Sequence, residues 1–222
     1  MIIVLCPEES NRSDRWDFNN PNILREYGYW KDNPKLLDML HEFKFMPSTK
    51  LQTKLPVMAC SKGHINMIQR IVDEDLQDVL IVEDDSVIDY DKFNEFLKLD
   101  KPHGLIYLGG KFDYPKIKDW DKERSIETYM KGKSIDGFNQ VGDDFIITGT
   151  FGYYIQNKDI AQQILNTCKG KTGKYKSNLT DVMLSKTDIH KYYYYPSIVE
   201  IEYLPSLIGG TATDTNWRNY IS

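Results

Sequence analysis

Short apolar runs that alternate with helix-type segments give this chain its main pattern. The clearest run is Val79–Val82, in which four apolar residues, three of them β-branched, lead directly into Glu83, Asp84 and Asp85. An uninterrupted apolar run of this length is typical of a strand that is buried on both faces, in the middle of a parallel sheet. The pattern therefore predicts a central strand whose carboxyl end carries three acids.

Other apolar runs predict the remaining strands of the fold. The predicted strands are 1–5, 55–59, 105–108, 145–156, 192–195 and 198–201. Gly149 and Gly152 interrupt the long run 145–156, which indicates a bulge or a sharp bend in that strand.

Segments with helical periodicity lie between the predicted strands. They predict a short helix from Pro21 to Tyr27, one that begins at Asn33-Pro34, one from about Ser61, and others at 91–97, at 157–165 and from Asp181. Within 91–97, Phe93, Phe96 and Leu97 are expected to pack inward. The alternation of strands and helices predicts an α/β fold with a central, mostly parallel sheet flanked by helices. The charged stretch 111–144 is predicted to be rich in loops.

The size and composition of the chain suit one folded domain. Its 222 residues and 41% hydrophobic content allow a substantial core. The net charge of −5 and the pI near 5.4 give no sign of a nucleic-acid partner. Three scattered cysteines are too few for a disulfide framework or a zinc site. No segment has the length and apolarity of a membrane span or a signal peptide, so we expect a soluble protein of the cytoplasm.

The three acids after the central strand are the strongest functional signal. Ligands of open α/β sheets bind beyond the carboxyl ends of the strands, which is where Glu83, Asp84 and Asp85 are predicted to lie. Adjacent carboxylates repel one another, and a divalent cation would keep them ionised together. The sequence therefore predicts a metal-dependent site at the end of the central strand.

Several short motifs follow one another along the chain. They are Ala59–His64 at a predicted helix start, Val79–Asp85, Ile106–Gly109, Thr148–Tyr154 before the helix 157–165, and Thr180–Leu184. This ordered set, over residues 1 to about 205, resembles glycosyltransferase family 25, the lipopolysaccharide-biosynthesis and collagen-galactosyltransferase group that includes relatives from large DNA viruses. The chain departs from the family at Gly63, where a serine is usual, and after the first strand, where Arg12 or Arg15 would replace an early arginine.

The resemblance implies both an architecture and a reaction. It implies a single GT-A (Rossmann-like) domain over 1–222, with a donor half at about 1–110 and an acceptor half at about 111–222. The implied reaction moves a sugar from a UDP-sugar to a hydroxyl of a glycan or glycoprotein, with Mn²⁺ or Mg²⁺ bound and with inversion at the anomeric carbon. Acceptor recognition is expected in 111–144 and in the tyrosine-rich late strands.

The resemblance also implies roles for individual residues. Asp85 and Glu83 are the expected metal ligands, and Asp181 is the expected general base. The expected donor contacts are Leu5, Pro7, Arg15, Lys62, His64, Glu83 and Asp84. His190 is a further candidate metal ligand, with a plain surface position as the alternative.

Most of these residues also have a purely structural alternative. Glu83 or Asp84 could cap the strand end, and Asp181 could cap a helix. His64 could hydrogen-bond within the scaffold, and Lys62 could be a solvated side chain. These alternatives stay open at the level of the sequence.

Other protein classes also place acids at the end of a buried strand. A response-regulator receiver would carry a phospho-accepting aspartate after a later strand, whereas the run 105–108 ends in Gly109-Gly110. A metal-dependent phosphohydrolase fits poorly, because such sites recruit several histidines and the four present here have no metal-binding spacing. A non-catalytic sugar-binding protein on the same fold stays open, because a fold does not guarantee chemistry.

Overall fold

A seven-stranded sheet forms the middle of the fold in the computed structural model of this chain. The structure describes residues 1–30, 32–43, 45, 50–113, 136–142, 146–177 and 179–202. The strands of the main sheet are β1 (Ile2–Leu5), β2 (Ile23–Glu26), β3 (Val79–Glu83), β5 (Leu105–Asp113), β6 (Gly137–Gln140), β7 (Ile146–Ile155) and β8 (Lys191–Tyr195). A small second sheet pairs β4 (Ser86–Ile88) with β9 (Val199–Ile201).

Most strands of the main sheet point the same way. The strand order is β2-β1-β3-β7-β5-β8-β6. β1 pairs in parallel with β2 and β3, and β5 pairs in parallel with β8. β7 runs antiparallel between β3 and β5, and β6 runs antiparallel to β8. The predicted α/β fold with a central, mostly parallel sheet is confirmed, and β6 and β7 are its reversed strands.

Helices pack on both faces of this sheet. Among the described residues they are α1 (Lys35–Met39), α2 (Leu51–Asp73), α3 (Tyr90–Leu97), α4 (Lys158–Thr167) and α5 (Thr180–Ser185). The side chain of Asn157 accepts hydrogen bonds from the backbone N–H groups of Asp159 and Ile160, which confirms the predicted cap of α4. None of the helices in the described ranges is long and apolar enough to cross a membrane.

The central strand is buried on both faces, as its sequence predicts. All four residues of Val79–Val82 have no exposed surface. Ile81 lies in the core that α2 and α4 cover, whereas Leu80 and Val82 lie in the core that α3 covers. Phe93 and Phe96 point inward as predicted, but Leu97 is 36% exposed, so that part of the prediction is wrong.

Two predicted elements differ from the structure. The predicted helix at 21–27 is strand β2, in which Ile23 and Leu24 pack into the cores on opposite faces of the sheet. The predicted strand at 55–59 is part of the long helix α2, and Met58 and Ala59 are buried on its inner side. Short apolar runs fit either element, so tertiary packing decides between them.

The long strand β7 is irregular, as its glycines predict. The register of β5 against β7 shifts on both sides of Gly109, and Gly149 has a φ of 66°, in the left-handed region that favours glycine. The Gly149 N–H group lies at the acidic site described below. Of the predicted acceptor region 111–144, residues 114–135 and 143–144 lie outside the described residues.

Candidate functional site

Gly63 allows α2 to approach the end of β1 closely. A Cβ atom on Gly63 would lie 2.5 Å from Cδ1 of Leu5, which is closer than real Cβ contacts come. Leu5 pairs in register with Glu83 of the neighbouring strand β3. The close approach therefore brings the next helical residue, His64, to the carboxyl end of the central strand. Gly63 and His64 lie in the middle of α2, so the prediction that they open a helix is wrong.

His64 connects the acidic strand end to the core. Its side chain is fully buried, and its Nε2 lies 3.2 Å from Oε1 of Glu83. Its Nδ1 lies 2.9 Å from the hydroxyl of Tyr153, which is also fully buried. Glu83 itself keeps 30% of its side chain exposed. The histidine thus links a buried tyrosine to a carboxylate that reaches solvent.

The thiol of Cys60, one turn before His64, lies 4.0 Å from Oε1 of Glu83. Burial raises the pKa of this thiol well above its ordinary value, and the negative charges of Glu83, Asp181 and Asp85 raise it further. Cys60, His64 and Glu83 also offer ligand atoms that lie within 4.8 Å of one another, so this group could hold a metal ion. The thiol of Cys60 is thus affected by the charges of three acids from different elements: Glu83 in β3, Asp85 in the turn after it and Asp181 in α5.

Asp85 lies in the turn after β3, with 23% of its side chain exposed. Burial, followed by the charge of Glu83, raises its pKa to about 6, although Arg12 opposes this rise. Nη1 of Arg12 lies 3.1 Å from Oδ2 of Asp85 and 3.1 Å from Oδ1 of Asp84. A carboxylate whose ionised form is disfavoured in this way would gain from a nearby cation.

Asp84 is held in place by the loop that follows β1. It is buried, and it accepts hydrogen bonds from the Ser10 hydroxyl and from Arg12. Its backbone carbonyl accepts a hydrogen bond of 3.2 Å from Nε1 of Trp16. These contacts fasten the loop to the end of β3 and surround Asp84 with protein groups.

Asp181 is the second residue of α5 and faces the reversed strand β7. One carboxylate oxygen accepts a 3.1 Å hydrogen bond from the Gly149 N–H, and the other accepts a 2.8 Å bond from the Val182 N–H. Burial raises the pKa of Asp181 despite these bonds. The hydroxyl of Thr180 bonds to that of Ser61 at 3.1 Å, which ties the start of α5 to α2 beside Cys60.

The family of the chain follows from a comparison with known protein families. The sequence profile described as glycosyltransferase family 25 (LPS biosynthesis protein) matches residues 38–182, which contain β3, its acids and Asp181. The chain belongs to glycosyltransferase family 25. A comparison with curated proteins found no match. Family 25 membership makes the chain a glycosyltransferase and argues against the phosphohydrolase alternative.

The structure brings four of the predicted site residues of this family 25 chain together and places others apart. Glu83, Asp85, Asp181 and His64 form one group beside Cys60. Of the remaining predicted residues, Leu5 is buried under Gly63, and His190 is exposed where β8 begins. Arg15 forms an ion pair with Glu202 at 2.7 Å, and Lys62 forms one with Glu42 at 3.4 Å. The carbonyl of Pro7 accepts a hydrogen bond of 2.7 Å from Arg25.

Sequence reasoning gave no role to three residues of this candidate site, which are Ser10, Cys60 and Tyr153, and it left Arg12 as the alternative to Arg15. From the sequence, Arg12 and Arg15 were equal candidates for the early arginine. The contacts of Arg12 with Asp84 and Asp85 distinguish the two. Tyr153 pairs in register with Ile81, two residues before Glu83, so strand alternation and a known register would have placed it on the same face.

Proposed function

We propose that this family 25 glycosyltransferase transfers a sugar from a UDP-sugar to a hydroxyl of a glycan or glycoprotein, with inversion and with a divalent cation bound. The proposal includes a GT-A arrangement of donor and cation. The observation that supports it best is the convergence of Glu83, Asp85 and Asp181 beside Cys60, at the carboxyl end of β3. In open α/β sheets this edge is where ligands bind. The cytoplasmic location stays a prediction.

The carboxylates suit a hard divalent cation. Glu83 and Asp85 would hold Mn²⁺ or Mg²⁺, which prefer carboxylate oxygen atoms, and the charge of Glu83 already disfavours the ionised form of Asp85. When bound, such a cation offsets the negative charge that develops on a leaving nucleoside diphosphate. Arg12, which bridges Asp84 and Asp85, supplies a positive charge at the same place.

Asp181 would accept the proton of the acceptor hydroxyl. Its raised pKa makes it a stronger base than an ordinary aspartate, and two backbone N–H groups hold its oxygen atoms in position. The surroundings of Asp84 favour a role in holding the strand end. Donor contacts by Leu5, Pro7, Arg15 and Lys62 stay predictions.

Substitution of Asp85 tests the cation dependence. We expect Asp85→Ala to lower Mn²⁺-dependent sugar transfer by at least about 100-fold, because it removes a ligand of the charge-stabilising cation. The measurement is release of UDP from a panel of UDP-sugars, with and without hydroxyl acceptors, in Mn²⁺ and in EDTA. Circular dichroism would check that the variant is folded.

Asp188→Ala is the matched control, because Asp188 is an acid with 75% side-chain exposure that forms a surface ion pair with Lys176. It should retain the wild-type rate. Full Mn²⁺-dependent activity in Asp85→Ala would refute the assignment of Asp85. Release of UMP and sugar 1-phosphate instead of UDP by the wild type would favour a phosphohydrolase that cleaves the diphosphate bond.

A further inference from the structure

His64 is too deeply buried to bind a donor itself. Its side chain has no exposed surface, and both ring nitrogens contact other side chains. Burying an imidazole is unfavourable unless its polar atoms are hydrogen-bonded. Here one of the two contacts is Glu83, the partly exposed acid at the edge of the proposed site. The histidine can therefore reach that site through Glu83.

The strand register explains why these three side chains line up. Ile81 of β3 pairs with Tyr153 of β7, and Glu83 follows Ile81 by two residues. Because side chains two apart lie on the same face of a strand, Glu83 and Tyr153 share the face that α2 covers. The close approach of Gly63 to Leu5 places His64 between them.

We propose that His64, oriented by Tyr153, is a positioning residue that holds the Glu83 carboxylate for the divalent cation. This inference rests on the proposed function, and it assigns to His64 a role through Glu83 instead of the predicted donor contact. The hydrogen-bond network assigns Nε2–H as the donor to Oε1 of Glu83 and the Tyr153 hydroxyl as the donor to Nδ1. One fixed oxygen restricts the directions in which the carboxylate can face an ion.

Residues that hydrogen-bond to a metal ligand and orient it affect the affinity of the site for the metal. When a residue that orients a metal ligand is removed, metal affinity or activity typically falls by 10- to 100-fold. Tyr153 is one step further from the carboxylate, and its loss leaves the ring of His64 in place. We therefore expect a larger effect at His64 than at Tyr153.

Cys60 provides the strongest competing interpretation. Its Sγ lies 4.0 Å from the same Oε1 atom of Glu83, and the two residues form with His64 a group that could bind a softer metal directly. Both ring nitrogens of His64 are already engaged, Nε2 by Glu83 at 3.2 Å and Nδ1 by the Tyr153 hydroxyl at 2.9 Å, so direct metal binding by His64 would break one of these contacts. The positioning role is therefore the one that the contacts favour.

The test is the dissociation constant of Mn²⁺ for the purified full chain, measured from the electron paramagnetic resonance signal of free Mn²⁺. We expect His64→Ala to weaken Mn²⁺ binding by about 10- to 100-fold and Tyr153→Phe by about tenfold or less. His64→Gln should recover most of the affinity, because its amide N–H can donate to Glu83. Cys60→Ser, which alters a neighbour of the same oxygen, should bind Mn²⁺ within about twofold of the wild type.

Each other result overturns a stated part of the argument. Wild-type Mn²⁺ affinity in folded His64→Ala would overturn the positioning role alone. If that variant does not fold, wild-type affinity in folded His64→Leu, which also has no N–H group to donate to Glu83, would do the same. Equal losses in Cys60→Ser and His64→Ala would show that both side chains bind the ion directly, which also overturns it. A wild-type chain that binds no Mn²⁺ at millimolar concentration would overturn the cation dependence and, with it, this inference.

Discussion

The three acids at the end of β3, Glu83 in the strand and Asp84 and Asp85 in the turn after it, have different surroundings. Glu83 lies on the face of α2 and contacts His64, whereas the side chain of Asp84 meets Ser10 and Arg12. Strand alternation accounts for this division, because successive side chains point to opposite faces. Asp85, in the turn beyond the strand, is the acid whose pKa rises to about 6. At this scale, the position of each acid in the strand or in the turn after it decides which groups its carboxylate contacts.

The role of Asp181 can be tested with an isosteric change. We expect Asp181→Asn to lower the rate of sugar transfer by about 10²- to 10⁴-fold, because an amide cannot accept the acceptor proton as a carboxylate does. The dissociation constant of the UDP-sugar, from calorimetry, should change by less than about threefold, since the proposed cation ligands remain. A parallel loss of donor binding would instead make Asp181 a structural residue of α5.

The sequence predicted the acids of the site better than their partners. Glu83 and Asp85 are recognisable because they follow an apolar run, and Asp181 is implied by the family resemblance. Arg12 could not be told from Arg15, and Tyr153 was given no role, because their contacts join residues 72 and 89 positions away. Such contacts depend on strand order and register, which a local pattern does not contain.

At the scale of elements, the packing of α2 on β1 determines where the site forms. The sequence predicted a strand at 55–59 and a separate helix from about Ser61, yet one helix covers Leu51–Asp73. Pro56 lies inside this helix, where it lacks the N–H group that would donate to the carbonyl oxygen four residues earlier. Gly63, which lacks a Cβ atom, lets this helix come close to Leu5 of β1.

A double-mutant cycle tests this contact. Gly63→Ala gains helix propensity of about 1 kcal/mol but forces its methyl group against Leu5, and overpacking typically costs about 1–3 kcal/mol. Shortening Leu5 removes the clash, so we expect Leu5→Ala with Gly63→Ala to be about 1–2 kcal/mol more stable than the sum of the single changes. Urea unfolding of the four chains measures this coupling.

Leu36→Ala supplies the control for the cycle. Leu36 is fully buried but belongs to a different apolar cluster from Leu5, so its effect should add to that of Gly63→Ala within about 0.5 kcal/mol. Strict additivity for the Leu5 pair as well would contradict the close contact between α2 and β1.

At the scale of the whole molecule, the sequence predicts the α/β class of the fold but not the order of the strands in the sheet. Alternating strands and helices indicated the α/β class. The reversed strand β7 between β3 and β5 was not predicted, because an apolar run has the same composition in either direction. The strand β2 was also missed, since its parallel pairing with β1 outweighs the helix signal at Pro21.

Metal removal should change the stability of the whole domain in a pH-dependent way. At pH 7.5 we expect Mn²⁺ to raise the melting temperature, since a ligand that binds only the native state stabilises it. Protons compete at Asp85, whose pKa is about 6, so at pH 5 the apparent Mn²⁺ affinity should be about tenfold lower and the rise smaller. Differential scanning fluorimetry in Mn²⁺ and in EDTA measures the rise in melting temperature at each pH.

The variant Asp85→Asn tests how ionisation of Asp85 changes the stability of the metal-free chain. The folded-state pKa lies above the ordinary value of 3.8, so the folded chain loses stability as the pH rises from about 4 through 6. The amide cannot ionise, and this variant should therefore exceed the wild type in EDTA at pH 7.5 by about 1–3 kcal/mol, a difference that shrinks toward pH 4. A less stable variant at pH 7.5 would show that the pair with Arg12 outweighs the repulsion.

The position of β7 has a consequence for how members of this family can diverge. β5, from the first half of the chain, lies between β7 and β8, which come from the second half. A recombinant that exchanged everything after residue 110 would have to re-form four inter-strand ladders with a foreign partner, three in the main sheet and one between β4 and β9. New specificities are therefore expected to arise by changes in individual loops, because the two halves of the chain are interleaved and cannot be traded as modules.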